Sequence, residues 1–246
     1  MKRLLFLFLF SLMFVGCKND NGLVFEPSNF GNVPCENCAL VNISIPKAIG
    51  NMRLDETINT ALREEITFIL KYDDEVEASS IDMAIKSFQN AFAKLKEKFP
   101  EESTQWEATI NGEVTFENEW ILTIRLDYFL FTGGAHGYGS TRFLNFDKTK
   151  AVELNNEGLF KDILDFEGFA EAKFRKQEGI PSSESINSTG FMFEEDLFYL
   201  PDNMGFTKEG LQLFYEQYEV ASYADGPIIL TFPFEEIQKF LAQQTF

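Results

Sequence analysis

The chain has a single histidine, and it stands in a glycine-rich run, Thr132-Gly133-Gly134-Ala135-His136-Gly137. Imidazole is the side chain whose unperturbed charge change falls nearest neutrality, so His136 invites an acid–base role. Catalysis there also needs a partnered nucleophile, and no Gly-x-Ser-x-Gly elbow occurs in the chain. Nor do the glycines have the strand–loop–helix setting of a phosphate-binding loop. The reading is therefore structural: Gly133 and Gly134 supply positive φ or close approach, and His136 pins the loop by hydrogen bonds. Such a loop can still shape a binding face.

A second group with chemical potential is Tyr215 to Tyr223, where Tyr215, Tyr218 and Tyr223 alternate with Glu216 and Glu219. Tyrosine offers a stiff apolar ring with a polar end, which suits contact with protein or glycan. Tyr215, Tyr218, Glu219 and Tyr223 form the candidate partner face; the competing reading is core packing beside a reversal at Asp225-Gly226. Cys35-Glu36-Asn37-Cys38 reads as a small structural disulfide, worth roughly 2 kcal/mol for so short a loop. A redox pair would open a helix after a strand, and zinc would need further ligands. Asp73-Asp74-Glu75 and Glu194-Glu195-Asp196 lack the alternating ligand spacing of a calcium loop and read as solvated surface. No metal and no cofactor is expected.

The first residues give an address. Lys2 and Arg3 precede an apolar run, Leu4 to Val15, too short to span a bilayer and laid out as a secretory signal. Cys17 follows Gly16 in the manner of a bacterial lipoprotein signal, in which the thiol is lipidated; Phe14 departs from the usual leucine. The expectation is a signal peptide over residues 1–16, a lipidated Cys17 with a flexible tether over 17–38, and attachment to the bacterial envelope, at the outer membrane. Removing 1–16 takes two of the 21 basic residues and none of the 39 acidic ones, so the net charge becomes −20. That surface disfavours nucleic acid and attracts basic partners.

The elements that must position these residues are legible from period. Val41, Ile43 and Ile45 alternate as a strand that Pro46 should end. Leu54, Ile58, Leu62, Ile66 and Ile69 share a helical stripe to about Tyr72. A second stripe runs from Ile81 to Phe99, with Ser79 and Asp82 as a capping box and Pro100 beyond its end. Strands are expected at Glu107 to Phe116, Trp120 to Phe131 and Gly139 to Asp147, so the glycine-rich loop joins antiparallel neighbours. Leu159 to Lys176 reads as helix. Further strands are expected at Asp196 to Leu200, Leu211 to Tyr215 and Ile228 to Phe232, then a helix from Phe234 to Ala242. Strands and helices come in blocks, which predicts an α+β fold with a mainly antiparallel sheet and packed helices. Two closely associated subdomains, 39–150 and 151–246, are expected.

Over most of residues 40–246 the chain resembles the envelope domain family of the lysozyme-sensing anti-sigma factor RsiV and of the non-catalytic part of PdaC-type peptidoglycan deacetylases. The likeness rests first on Ile45-Pro46 and Ile58-Asn59. It then sharpens at Gly133-Gly134-Ala135-His136 and Asn145-Phe146-Asp147. Glu153-Leu154, Leu159-Phe160-Lys161, Phe214, Tyr218-Glu219-Val220-Ala221, Tyr223-Ala224-Asp225-Gly226-Pro227 and Pro233-Phe234 complete it. Where the family often has a Thr-Gly turn after the aspartate, this chain has Thr149-Lys150. The resemblance implies a non-enzymatic module that binds a basic protein such as lysozyme, or cell-wall material. The competing implication is a peptidoglycan-acting enzyme or an accessory of a deacetylase system. A deacetylase site needs several histidines and aspartates, and one histidine does not supply it.

Overall fold

The computed structural model describes residues 23–32, 38–50, 52–75, 77–101 and 104–242. The expected signal peptide, Cys17 and Cys35 lie outside them. Cys38 is disulfide-bonded.

Six strands form the first sheet in the order β1 (Val24–Gly31), β2 (Leu40–Ile49), β3 (Glu107–Glu117), β4 (Ile121–Phe131), β5 (Tyr138–Asp147) and β6 (Val152–Leu154). Every pairing is antiparallel except β2–β3. That parallel step needs a crossover, supplied by helices α1 (Met52–Leu70) and α2 (Ile81–Lys98). Both lay their stripes on one sheet face, where Ile58, Leu62, Ile66, Phe88 and Phe92 meet Ile110, Ile124, Leu126 and Phe146 in one core. Ser80, not Ser79, caps α2, its side chain accepting from Met83 N at 3.2 Å.

The first strands differ from expectation in two respects. Residues 24–31, expected in the tether, are the edge strand β1. Their Pro, Asn and Gly content reads as loop because an edge strand needs neither two-sided burial nor a full set of ladder hydrogen bonds. Pro46 does not end β2, which continues to Ile49. It stands opposite Pro27, a pair that cannot exchange N–H···O bonds. Pairing with β3 has already stopped at Ser44, so no ladder donor is missed.

The second sheet is β7 (Met204–Thr207), β8 (Gly210–Tyr215) and β9 (Ile228–Phe232), all antiparallel. Helix α3 (Asn156–Leu159) is a single turn, and α4 (Ile163–Glu178) starts four residues later than the sequence predicts for the helix at Leu159. Asp162 caps α4, accepting from Leu164 N, and Gly179 ends it in the left-handed conformation. The last helix, α5 (Phe234–Ile237), is likewise only one turn. The strand expected at 196–200 is absent: Glu195 and Asp196 take φ of 54° and 60°, which breaks an extended run. Its place in the sheet falls to β7, whose four residues are all buried and so show no period of two. Much of the chain's abundant phenylalanine packs here, with Phe160, Phe166, Phe174, Phe193, Phe206 and Phe232 in one aromatic core.

The two sheets are joined by side chains instead of a ladder. Thr115 sits in a bulge between Val114 and Phe116 and donates to Phe206 O at 2.8 Å. Asn145 donates to Met204 O at 2.8 Å, and Asn203 accepts from Phe143 N at 3.0 Å while donating to Thr141 O. Gly205 lies against Phe143, where a Cβ would come within 2.5 Å of the ring. These bonds fix the second sheet against the outer face of β4 and β5. β6 belongs to the first sheet, so that sheet reaches past residue 150.

Candidate functional site

The glycine-rich run is the loop of the β4–β5 hairpin, beyond the last register pair Leu130–Tyr138. Gly133 and Gly134 take φ of 93° and 88° with open space where a Cβ would be. Backbone conformation therefore selects glycine there. Gly137 is constrained differently. A Cβ on it would lie 2.3 Å from the Phe129 ring and 2.8 Å from Leu130 O.

Around Gly137 the rings gather. Its carbonyl accepts from the Tyr223 hydroxyl at 3.3 Å and lies 3.2 Å from His136 Nδ1, which donates to it in the Nδ1-protonated form. The exposed His136 ring stacks on Tyr223, with centroids 4.2 Å apart and planes at 23°. Tyr218 continues the row 5.4 Å from Tyr223. Phe129 is 44% and Tyr218 61% exposed, so the hairpin tip carries an aromatic ridge open to solvent. Tyr218 is held at φ 69°, a conformation costly for a bulky residue, so the fold maintains its presentation against strain.

Beneath the ridge lies an ionic cluster drawn from both parts of the chain. Arg142 on β5 is ion-paired with Glu65 of α1 at 3.2 Å and with Glu216, the residue after β8. The Tyr138 hydroxyl donates to the second oxygen of Glu216. Glu216 N in turn donates to Glu219 Oε2 at 2.7 Å. Burial pushes the Tyr138 hydroxyl well above its ordinary range, and the neighbouring Glu216 carboxylate adds to the shift. Burial raises the Glu65 carboxyl too, with Arg142 only partly restoring it. The Glu219 carboxyl is raised by burial, against the hydrogen bond from Glu216 N. The cluster locks the start of β5 to α1 and to the segment carrying Tyr218 and Tyr223.

The two groups singled out in the sequence thus meet in one place: His136 with Tyr223 and Tyr218. Tyr215 does not join them. It is fully buried on the central strand of the second sheet, packs against Phe174 and Phe193, and donates to Tyr199 O at 2.6 Å. A strand covered on both faces leaves no exposed alternate position, so Tyr215 is removed from the partner face. Glu219 is half-buried and closes the turn through Glu216 N. Cys38 lies far from the ridge in sequence, beside Asn32, whose Nδ2 is 3.4 Å from its sulfur.

Sequence reasoning named Gly137 and Glu216 only as members of their segments, and missed Phe129, Tyr138, Arg142 and Glu65. One signal was available: Arg142 stands in phase with Leu144 and Phe146 on β5, a charge at an inward position that needs buried partners. Nothing local marks Glu65 or Glu216 as those partners. Among the described residues no group of three His, Cys, Asp or Glu side chains is arranged to hold a metal ion. Asp73 of the acidic run is bonded to Lys94 at 3.0 Å.

Comparison with known proteins agrees with this architecture. Residues 35–138 match the family model described as deacetylase PdaC, and residues 153–235 match the one described as a protein of unknown function, DUF3298. A DUF3298 family protein of Bacteroides fragilis is 20% identical, with a TM-score of 0.69 over 92% of this chain and 96% of that one. Another, from Pseudomonas aeruginosa, is 19% identical, with a TM-score of 0.61 over 92% and 98%. At that identity the likeness shows a shared fold. No curated protein matches the chain. Both family models point to envelope-associated domains of uncharacterised role. No helix among the described residues is long and apolar enough to cross a membrane.

Proposed function

We propose that this chain, which carries a PdaC-type domain followed by a DUF3298 domain, is an envelope lipoprotein that binds a basic protein such as lysozyme. Cys17 would carry the lipid and hold the module at the outer membrane. The observation that carries the reading is the row His136–Tyr223–Tyr218, exposed at both ends with Tyr223 half-buried between them, and rigidly backed by Gly137 and an ionic cluster. Aromatic rings on a stiff support lose little entropy on docking, which is the pattern of interface anchors. A chain with 39 acidic and 21 basic residues steers a cationic partner toward them. A peptidoglycan-acting enzyme would need His136 in a cleft beside a carboxylate; its ring instead lies exposed on Tyr223.

Calorimetry of residues 18–246 with lysozyme tests this at low and moderate salt. The expected result is saturable binding of about micromolar strength that weakens with salt yet persists. The same titration with Tyr218→Ala should lose about tenfold in affinity. Absence of heat, or binding abolished by modest salt, would turn the search to cell-wall fragments.

A further inference from the structure

The N-terminal subdomain holds a second feature made of residues other than those at the hairpin tip. Between the edge strand β1, strand β2, the middle of α1 and the N-terminal end of α2 lies a cavity of about 300 Å³, the lower end of the range for small-molecule sites. Its walls are apolar: Phe30, Ile45, Pro46, Leu62 and Ile81. Asn59 also lines it, its amide held by the backbone of Ala48 at both ends, at 3.0 and 2.9 Å, so that it closes the wall.

Its mouth carries charge. Lys47 and Arg63 both line it, against one carboxylate, Asp82. In a chain where acids outnumber bases 39 to 21, a local excess of cations is a reversal of the general surface. Neither cation is neutralised by the cavity itself. Among the described residues Lys47 makes no ion pair, although Glu26 stands opposite it in the β1–β2 register, and Arg63 has only its exposed neighbour Glu64 at 3.6 Å. A guanidinium and an ammonium at the mouth of an apolar slot match a carboxylate on an aliphatic chain: the fork of arginine takes two oxygens, and the slot takes the methylenes.

We propose that this cavity binds a medium-chain aliphatic carboxylate, its tail between Phe30, Leu62 and Ile81 and its head between Lys47 and Arg63. The site is independent of lysozyme recognition and stands or falls alone. The probe is decanoate, titrated calorimetrically into the protein, with decylammonium and decan-1-ol as matched controls. The expected result is saturable binding of decanoate with Kd of about 10–100 μM, and decylammonium at least about tenfold weaker. The double variant Lys47→Glu, Arg63→Glu should weaken decanoate about tenfold while leaving decan-1-ol unchanged. Ser28→Trp, which fills the slot from the edge strand, should weaken both. Thermal melts check that each variant folds; if Ser28→Trp does not, the charge variant decides. The proposal is overturned by no saturable heat with decanoate up to about 1 mM, by equal affinity for decylammonium, or by an unchanged double variant.

Discussion

Strand β5 begins at the glycine-rich loop and ends at the Asp147 turn, and polar side chains at its two ends face opposite media. At its start, His136 and the rings of Tyr218 and Phe129 lie open to water around Gly137. At its end, the Asp147 side chain is fully buried and turned inward. Its Oδ1 accepts from Thr149 N at 2.9 Å, Thr149 Oγ1 at 2.7 Å and Lys150 N at 2.9 Å, and Lys150 Nζ lies 3.0 Å from Oδ2. Both ends are distinctive segments of the sequence. The Asp147 end therefore maintains the fold, while the loop end, with its polar and aromatic groups at the surface, is available for contact. A motif residue has to be assigned by where its polar atoms point.

The largest effect is expected from Asp147→Ala, which strips an inward cap and leaves its donors unpaired. Denaturant melts should show a loss of about 3 kcal/mol, with lysozyme affinity of the folded protein unchanged. The native protein should also show the linked pH dependence. Burial alone would raise the Asp147 carboxyl, but the bonds from Thr149 and Lys150 outweigh it and hold the group well below its ordinary range. Its stabilisation is therefore complete above the unfolded aspartate value of about 3.9 and fades as pH falls below that. Glu65 and Glu219, raised by burial, act in the opposite sense: acidifying from neutrality toward their unfolded values favours the fold. Melting temperature against pH should rise on mild acidification and then fall, and Asp147→Ala should flatten the fall. A next, smaller effect is expected at the loop. Gly137→Ala forces the Phe129 ring aside and should cost about 2 kcal/mol, while weakening lysozyme binding because the rings lose their support.

The turn after Asp147 allows a gain. Its left-handed residue is Ala151, at φ 55°, beyond the Thr149-Lys150 pair to which the sequence comparison drew attention. Ala151→Gly relieves that strain and should stabilise the protein by about 1 kcal/mol, read as a rise in melting temperature. The smallest effect on stability belongs to His136→Ala, within about 0.5 kcal/mol, because the ring is exposed. Binding should separate it from the structural end: His136→Ala is expected to reduce lysozyme affinity several-fold. A stability loss with unchanged binding would make the loop a second structural end and remove the contrast.

Much of the fold was legible. The stripes of α1 and α2, the alternation of β4 and β5 and the hairpin between them are local patterns, and each appears where its period places it. Elements without a clean period were not. β7 is buried on both sides, β1 looks like loop because an edge tolerates Pro, Asn and Gly, and the run at 196–200 carries strand-like residues behind the left-handed pair Glu195 and Asp196. At the site, the loop glycines and the tyrosine segment could each be picked out, yet Tyr215 could not be told from Tyr218. Residues three apart in one segment can fall on opposite sides of a packed layer.

The periodic elements, the positive-φ glycines and the acidic surface are written in the order and sum of the residues, because each depends on neighbours within a few positions or on a total over all of them. That His136 meets Tyr223, 87 positions away, and that Arg142 finds Glu65 and Glu216, are outcomes of long-range packing. Those meetings follow from seating the second sheet on the first through Thr115, Asn145 and Asn203. That geometry comes from packing and buried hydrogen bonds between distant segments, and no local pattern encodes it.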